Sequence, residues 1–525
     1  MPAVRNTFYI TTPIYYVNDR PHIGHVYSTT MADIIARYHR LFGRDVFFLT
    51  GTDEHGKKVA DSAREQGVSP QEFVDRIAAE FEQTFTRMNI TNGDFIRTTQ
   101  ARHVSRVRHY VEQLQANGDV YLGEYEGWYD EGQEEYVTET NARNSDYRSP
   151  ISGAPLVKVK EKNYFFALSR YQDRLIDHIE KNPRFVEPAA RRNEVLSRLR
   201  EGIKDVAVSR STEPWGVPMP GDEGHSIYVW IDALFNYVTT VDTDERARYW
   251  PADVHLIGKE ILWFHAVIWP AILMSLDKPL YGRLYAHSFW ISEGQKMSKS
   301  LGNFVDLEKL DGYIESFGLD ALRYYMATQG PMGASDADFA HAKFAETYNS
   351  DLANTLGNCV NRVVHMTNRY FDGILPAPGE SDDSILDAVA TCRTAAIEAA
   401  GDVAAHLESL DVNGLCENGL SIIRAVDLCI DRTEPFRLAK DPANRDQVAT
   451  IMVHCAEAVR IASLCLWPVM PEKTAEIWDR LGCGRYAEVL ANNGSGDFET
   501  WAQWGQLKPG TKIKQGEALF PRKKD

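Results

Sequence analysis

The first 53 residues confine the chain to a small set of folds. "NTFYITT" is a short β run, and "RDVFFLTG" is a continuous apolar run of the kind buried on both faces of a sheet. Between them, "GHVYSTTMADIIARYHRLFG" spaces Met31, Ile34, Ile35, Tyr38 and Leu41 at threes and fours, and Gly43 stands where a helix would be capped. Strand, helix, strand at this length is one βαβ unit, which commits the region to a parallel sheet. His22 and His25 then fall at the carboxyl end of the first strand, where the helix begins. Open parallel sheets bind ligands there, and the free N–H groups of the helix start favour anions. A zinc reading of the pair fails for want of ligands: no cysteine, second histidine pair or carboxylate at helical spacing completes a tetrahedral set. Two ordinary turn histidines are the bland alternative, so the rest of the chain has to decide.

At 525 residues and 44% hydrophobic content, two to four domains with their own cores are expected. No run of 18 apolar residues appears, and "MPAVRNTFYITT" lacks a targeting pattern, so the chain is read as soluble and cytoplasmic. The cysteines at 359, 392, 416, 429, 455, 465 and 483 lie in helical-looking apolar stretches, as buried thiols of a reducing compartment would. A net charge of -17 disfavours sequence-blind nucleic-acid binding but leaves room for a local basic RNA-facing surface.

From about 119 to 225 the strand–helix alternation is lost, and this stretch is read as an insertion of short strands and loops. α/β character returns with "SIYVWIDALFNYV", "DVHLIGKEILWFHAVIWPAILMSL" and "RLYAHSFWI", followed by "SEGQ" and "KMSKS". A lysine pair on a loop is, alone, a solvated basic turn. Two histidines at the first strand–helix corner and two lysines after a late strand, in one split α/β domain, suit activation of a carboxylate by ATP. That chemistry needs the triphosphate held in line, and donors where charge grows on the α-phosphate and the departing pyrophosphate. Beyond about 345, helical periodicity runs to about 485, and "KPGTKIKQGEALFPRKKD" is read as an extended tail that packs back.

"PHIGH" (21–25), "GTDEHG" (51–56), "YVWIDA" (228–233), "GKEILWFH" (258–265) and "KMSKS" (296–300), in this order, resemble the methionyl-tRNA synthetases of class I, over nearly the whole chain. The first and last of these define the class; the middle three point to methionine. The resemblance implies an α/β fold: a split Rossmann-like parallel sheet with a connective insertion and an all-α C-terminal anticodon-binding domain. The implied division is a first catalytic half at 1–118, the connective insertion at 119–225 and a second catalytic half at 226–290. The KMSKS loop and stem-contact region follow at 291–345, the helical anticodon-binding domain at 346–490 and the tail at 491–525. The implied activity is formation of methionyl-adenylate and pyrophosphate from L-methionine and ATP with Mg2+, then transfer of methionine to tRNA(Met).

Carried over by position, the resemblance implies that His22 and His25 bind and polarise the ATP phosphates while Lys296 and Lys299 steady the β- and γ-phosphates. Gly24 and Ser298 belong to the same ATP contacts. A methionine pocket is implied from Ile14, Tyr16, Trp230, Ala233, Tyr237, Phe264 and His265, with Asp53 pairing the ammonium. These types suit the ligand: aromatic walls make favourable contacts with a thioether, and a buried ammonium needs a carboxylate. As plain core aromatics, Trp230, Tyr237 and Phe264 would be equally unremarkable. Leu234 stands where many relatives carry proline. For the RNA, Asn354, Asn358, Asn361 and Arg362 form one polar stripe at i, i+4, i+7 and i+8, unusual for a mediocre helix former such as Asn. The resemblance places Asn354, Asn358 and Arg362 at the CAU anticodon. In "RTEPFRLAKDP" Phe436 replaces the tryptophan common in the family, keeping a stacking face but no N–H.

The zinc knuckle of many relatives aligns with "WYDEGQEE" and "YRSPISGAP", which set Asp130, Gln133, Ser149 and Ser152 at the ligand positions. Gln and Ser are poor zinc ligands, so a metal-free insertion is expected. Synthetases for other aliphatic amino acids usually carry a larger editing insertion, a nucleotidyltransferase would leave the helical third unexplained, and a non-catalytic tRNA-binding relative should have eroded signatures. A monomer is expected, because the extra C-terminal domain by which some relatives dimerise has no counterpart here.

Overall fold

The computed structural model describes residues 6–18, 20–130, 135–137, 139–211, 215–292, 294–297, 303–490 and 496–523. Its central sheet has six strands: Thr7–Tyr16 (β1), Asp45–Asp53 (β2), Asp94–Arg97 (β3), Val186–Glu187 (β4), Val254–Gly258 (β5) and Arg283–His287 (β6). They lie in the order β3-β2-β1-β5-β6-β4, every neighbouring pair parallel. The order reverses between β1 and β5, which opens a crevice at the carboxyl ends of those two strands. β1 is longer than "NTFYITT" suggests and runs through Pro13, where its register on β2 shifts between Thr11 and Ile14. Proline has no N–H for the ladder, so the strand survives it by bulging, which re-aims Ile14 and Tyr16.

The helix Ile23–Leu41 (α1) crosses from β1 to β2 and is buried on nearly every side, because the sheet covers one face and the helical third of the chain the other. Gly43 ends it with φ +81°, a left-handed conformation that glycine adopts at no steric cost. Asp33, inside α1, accepts from Arg37 Nε at 2.8 Å and from Arg323 Nη2 at 2.6 Å, with all three side chains buried. Burial alone would raise the Asp33 pKa, but the two guanidinium groups outweigh it and hold the carboxyl below the usual range. Arg323 also donates to the carbonyls of Val469 at 3.0 Å and Pro468 at 3.1 Å, tying the central sheet to the helices beyond.

The insertion holds a four-stranded antiparallel sheet of Glu135–Val137, Val120–Asp130, Val157–Phe166 and Val206–Ala207. It is more helical than the sequence reading: Gln172–Lys181 buries Leu175 and Ile179, and Ala189–Arg200 buries Val195, Leu196 and Leu199. Between these helices β4 joins the edge of the central sheet, so the insertion is stitched into the body. The helical third packs Asn358–Phe371, Asp383–Ser409, Val412–Thr433, Arg445–Leu466 and Pro471–Arg480 around one core. All seven cysteines are buried and free. The last residues run back across both parts. Glu457 accepts from the N–H groups of Gly505 at 2.7 Å, Gln506 at 2.8 Å and Leu507 at 3.0 Å, and Gly496 N–H donates to Arg40 O at 2.8 Å.

Candidate active site

The first turn of any helix leaves backbone N–H groups without internal partners. Here imidazoles take them. His22, extended at φ -143°, is the N-cap, and its Nδ1 accepts from Gly24 N–H at 3.0 Å; His25 Nδ1 accepts from His22 N–H at 3.2 Å. This is a capping box made of two histidines where a hydroxyl and a carboxylate are usual. Because each Nδ1 accepts, the proton of each neutral ring sits on Nε2. The rings stack at 3.8 Å between centroids, and burial, then the neighbouring His22, pushes the His25 pKa well below 6.5. Gly24 must be small: a Cβ there would stand 2.9 Å from His22 Cε1.

The lysine loop springs from the same corner. Trp290–Ser292 pairs antiparallel with Gln295–Lys296, and Asn303 Nδ2 closes the neck by donating to Ser292 O at 3.3 Å and Lys296 O at 3.2 Å. Two residues on, Val305 O accepts from Ile23 N–H at 3.2 Å, Asp306 bridges His22, and the Phe304 ring stands edge-on to His22 at 5.2 Å. Lys296 is exposed at the base of the loop, while Ser298 and Lys299 lie outside the described residues.

A cavity of about 420 Å³ extends from this corner across the switch point of the sheet. Ile14, Tyr16, Asp53, Trp230, Ala233, Tyr237 and His265 line it together with His22, Gly24, His25 and Leu234. Phe264 does not line it; its ring stacks on Trp230 at 4.1 Å and 11°, and it borders a second cavity of about 370 Å³ on the insertion side. Phe264 therefore backs the wall. His265 Nδ1 lies 3.0 Å from Ile261 O, so it carries the proton, and Nε2 accepts from Tyr237 O–H at 2.7 Å. Burial pushes the His265 pKa down to about 4, which keeps a cation out of the wall that faces Asp53.

The sequence reading missed Ser28, Asn236, Glu260 and His287, which also border the cavity. His287 Nδ1 is 2.8 Å from Ser288 O and its Nε2 is 2.6 Å from Ser28 Oγ, with burial pushing its pKa down to about 4. The signal was present: His287 ends β6 as His22 follows β1, and strand ends at a switch point are where ligands sit. Glu260, in the quoted "GKEILWFH", has its pKa raised by burial.

In the helical third, Asn354 and Asn358 are exposed, as is Phe436 at 44%. Arg362 is held by Asp427 at 2.9 Å and Asp431 at 2.8 Å. Asn361 does not share their face: its Oδ1 accepts from buried Arg480 Nη1 at 3.1 Å. The segment Tyr348–Gly357 is π-helical, and its wider turn breaks the spacing from which a single stripe was read. In the insertion, Asp130 is buried, Ser149 Oγ accepts from the N–H groups of Ile151 and Ser152 in a tight turn, and Gln133 lies outside the described residues. Ser152 Oγ accepts from Ala154 N–H at 3.3 Å. Among the described residues no group of three or more His, Cys, Asp or Glu side chains is placed to hold a metal.

Comparison with known proteins matches the family model of class I tRNA synthetases (M) to residues 8–144 and 141–364. The methionine–tRNA ligase of Bacillus subtilis is 42% identical over 99% of this chain and 79% of its own length, and that of Caldanaerobacter subterraneus has the same identity and coverage. The methionyl-tRNA synthetase of Mycobacterium tuberculosis in complex with methionyl-adenylate superposes with a TM-score of 0.90 at 36% identity, covering 98% of this chain and 100% of that one. Its apo form gives 0.84 at 34% identity, over 99% and 98% of the two chains. Similarity of this extent, in sequence and in three dimensions, places the chain in the methionine-specific class I aminoacyl-tRNA synthetases.

Proposed function

We propose that the 420 Å³ cavity is where this chain joins methionine to AMP, with the triphosphate lying against the histidine corner and the amino acid against Asp53. The chain is a methionine–tRNA ligase: it activates L-methionine with ATP and charges tRNA. In the first step a methionine carboxylate oxygen bonds to the α-phosphorus as the bond to the leaving pyrophosphate breaks. The Nε2–H groups of His22 and His25 donate to phosphate oxygens as charge builds, without first having to lose or gain a proton. Lys296 and Lys299 act on the β- and γ-phosphates, where the leaving charge collects. Magnesium arrives on the phosphate oxygens of ATP itself. The aromatic wall of Tyr16, Trp230 and Tyr237 takes the thioether, and Asp53 pairs the ammonium. In the second step the terminal ribose hydroxyl of tRNA attacks the acyl carbon and AMP leaves.

One observation supports this reading most: the neck of the lysine loop is hydrogen-bonded onto the histidine corner, so one triphosphate can reach both. Methionine-dependent exchange of pyrophosphate into ATP, run against leucine, isoleucine, valine and cysteine, tests it. Activity restricted to methionine is expected, and equal activity with leucine would refute the pocket assignment. Homocysteine, one methyl shorter, is separated by only about 1–3 kcal/mol and should be activated, then lost by cyclisation in the same site. Thiolactone released no faster with enzyme than without it would exclude that route. The CAU anticodon is read by the exposed face of Asn354, Asn358, Arg362 and Phe436. A cytoplasmic, metal-free monomer completes the proposal; sedimentation and elemental analysis of dialysed protein test its mass and metal content.

A further inference from the structure

Three consecutive residues leave the end of β2 in different directions. Asp53 lines the cavity. Glu54, fully buried, is gripped by Arg97 at 2.6 and 3.0 Å. His55 turns toward the pocket wall, where its Nδ1 lies 2.7 Å from Asp232 Oδ2. Asp232 belongs to the six-residue helix Val229–Leu234, which also carries Trp230 and Ala233 and has no side-chain N-cap bond of its own. Its second oxygen lies 2.9 Å from His103 Nε2, and His103 Nδ1 lies 3.0 Å from Thr239 Oγ1, two residues beyond Tyr237. Asp232 and His103 are fully buried and His55 nearly so, yet none of the three borders the cavity.

A buried carboxylate must be met by donors, so both imidazoles present N–H to Asp232. The chain His55–Asp232–His103–Thr239 therefore links the segment bearing the ammonium partner to the two short helices that bear the thioether wall, Val229–Leu234 and Asn236–Thr239. Neither short helix is long enough to hold its orientation alone, so tertiary contacts set where they stand, and this tie is a polar one among apolar packing. We propose that His55–Asp232–His103 is a positioning chain that sets the separation between Asp53 and the Trp230–Ala233 wall, and thereby the length of amino-acid side chain the pocket accepts. This rests on the reading of Asp53 and Trp230 as methionine contacts.

Pyrophosphate exchange with His55→Ala, His55→Asn, Asp232→Asn and wild type, varying methionine, homocysteine and ATP separately, tests it. Asparagine at 55 keeps an N–H near the Nδ1 position and serves as the conservative rescue. His55→Ala and Asp232→Asn are expected to raise KM for methionine about tenfold or more, the size of a lost hydrogen bond to a charged group, with kcat and KM for ATP within about twofold of wild type. The kcat/KM preference for methionine over homocysteine should narrow in both, and His55→Asn should recover most of each loss. Parallel rises in KM for ATP and methionine, no change in either, or no rescue by His55→Asn would overturn the proposal. Should Asp232→Asn fail to fold, the two His55 variants still decide it. Wild-type enzyme without methionine-dependent exchange would instead refute the active-site reading.

Discussion

Asp320 opens the helix Leu319–Gln329 and sits where the catalytic sheet meets the helical third. It is 2% exposed; its Oδ2 accepts from Lys473 N–H at 2.6 Å, and its Oδ1 has no partner among the described residues. Burial drives its pKa up, the Lys473 N–H opposes it, and the balance stands at about 7. An unfolded aspartate titrates near 3.9. The folded state thus holds a proton that the unfolded state has released between about pH 4 and 7, and stability falls as pH rises through that window. Roughly three pKa units at 1.36 kcal/mol each make the loss about 4 kcal/mol. Asparagine cannot ionise, so Asp320→Asn removes this pH dependence and leaves a carbonyl to accept from Lys473. Urea unfolding of both proteins at pH 5 and pH 8 should show the stability difference moving toward the variant by most of that amount. A difference that is the same at both pH values would refute the assignment of a buried, protonatable carboxyl at this junction.

Glu457, which also pairs with buried Arg460 at 2.7 Å, gives a second case: Glu457→Ala should destabilise the protein by about 3–5 kcal/mol in urea unfolding, since it leaves the guanidinium without its carboxylate and three tail N–H groups unmet. His22→Asn keeps a strong N-cap and should leave the melting temperature unchanged, while losing an Nε2–H donor should lower kcat for pyrophosphate exchange about 100- to 1000-fold. Phe436→Ala should raise KM for tRNA by the loss of about 1–3 kcal/mol of stacking, with methionine activation intact; equal loss in both half-reactions would make Phe436 structural.

The parts legible in the sequence are those governed by local periodicity and by motif position. The βαβ unit follows from apolar spacing in 53 residues, and His22 and His25 fall at a strand end by simple counting. What escaped depends on partners distant in the chain. β4 is two residues long, and no window that short carries a strand signal; it exists because β6 offers an open edge. Asn361 looks solvent-facing by helical arithmetic, but a π-helical stretch upstream changes the count and Arg480 claims it from 119 residues away. Phe264 is implied as a pocket residue only by the family resemblance of its position in the motif. Its ring faces the back of Trp230, a choice that the second cavity, not the motif, makes visible. The His55–Asp232–His103 chain joins residues inside two separate motifs to a histidine outside any motif, and nothing in the local sequence links the three.

The histidine corner answers why this helix start uses imidazole at both capping positions. A capping box needs an acceptor at the N-cap and another three residues on, and Ser with Glu is the common solution. That pair would set a carboxylate at the mouth of the cavity proposed to receive a triphosphate, and like charges there oppose binding. Two arginines or lysines would welcome the phosphates but cannot accept a backbone N–H, so the helix start would lose its caps. Neutral imidazole accepts on one nitrogen and donates from the other, on the far side of a rigid ring, while carrying no charge. The depressed His25 pKa keeps that division in force near neutrality, because a protonated Nδ1 could no longer accept from His22 N–H. The hydrogen bonds that begin α1 are therefore also what orient both rings, and with them the Nε2–H groups proposed to meet phosphate. His25→Glu separates the two roles: it should preserve the cap and the fold while abolishing exchange. An enzyme carrying that substitution with near wild-type exchange would show that the corner only caps the helix.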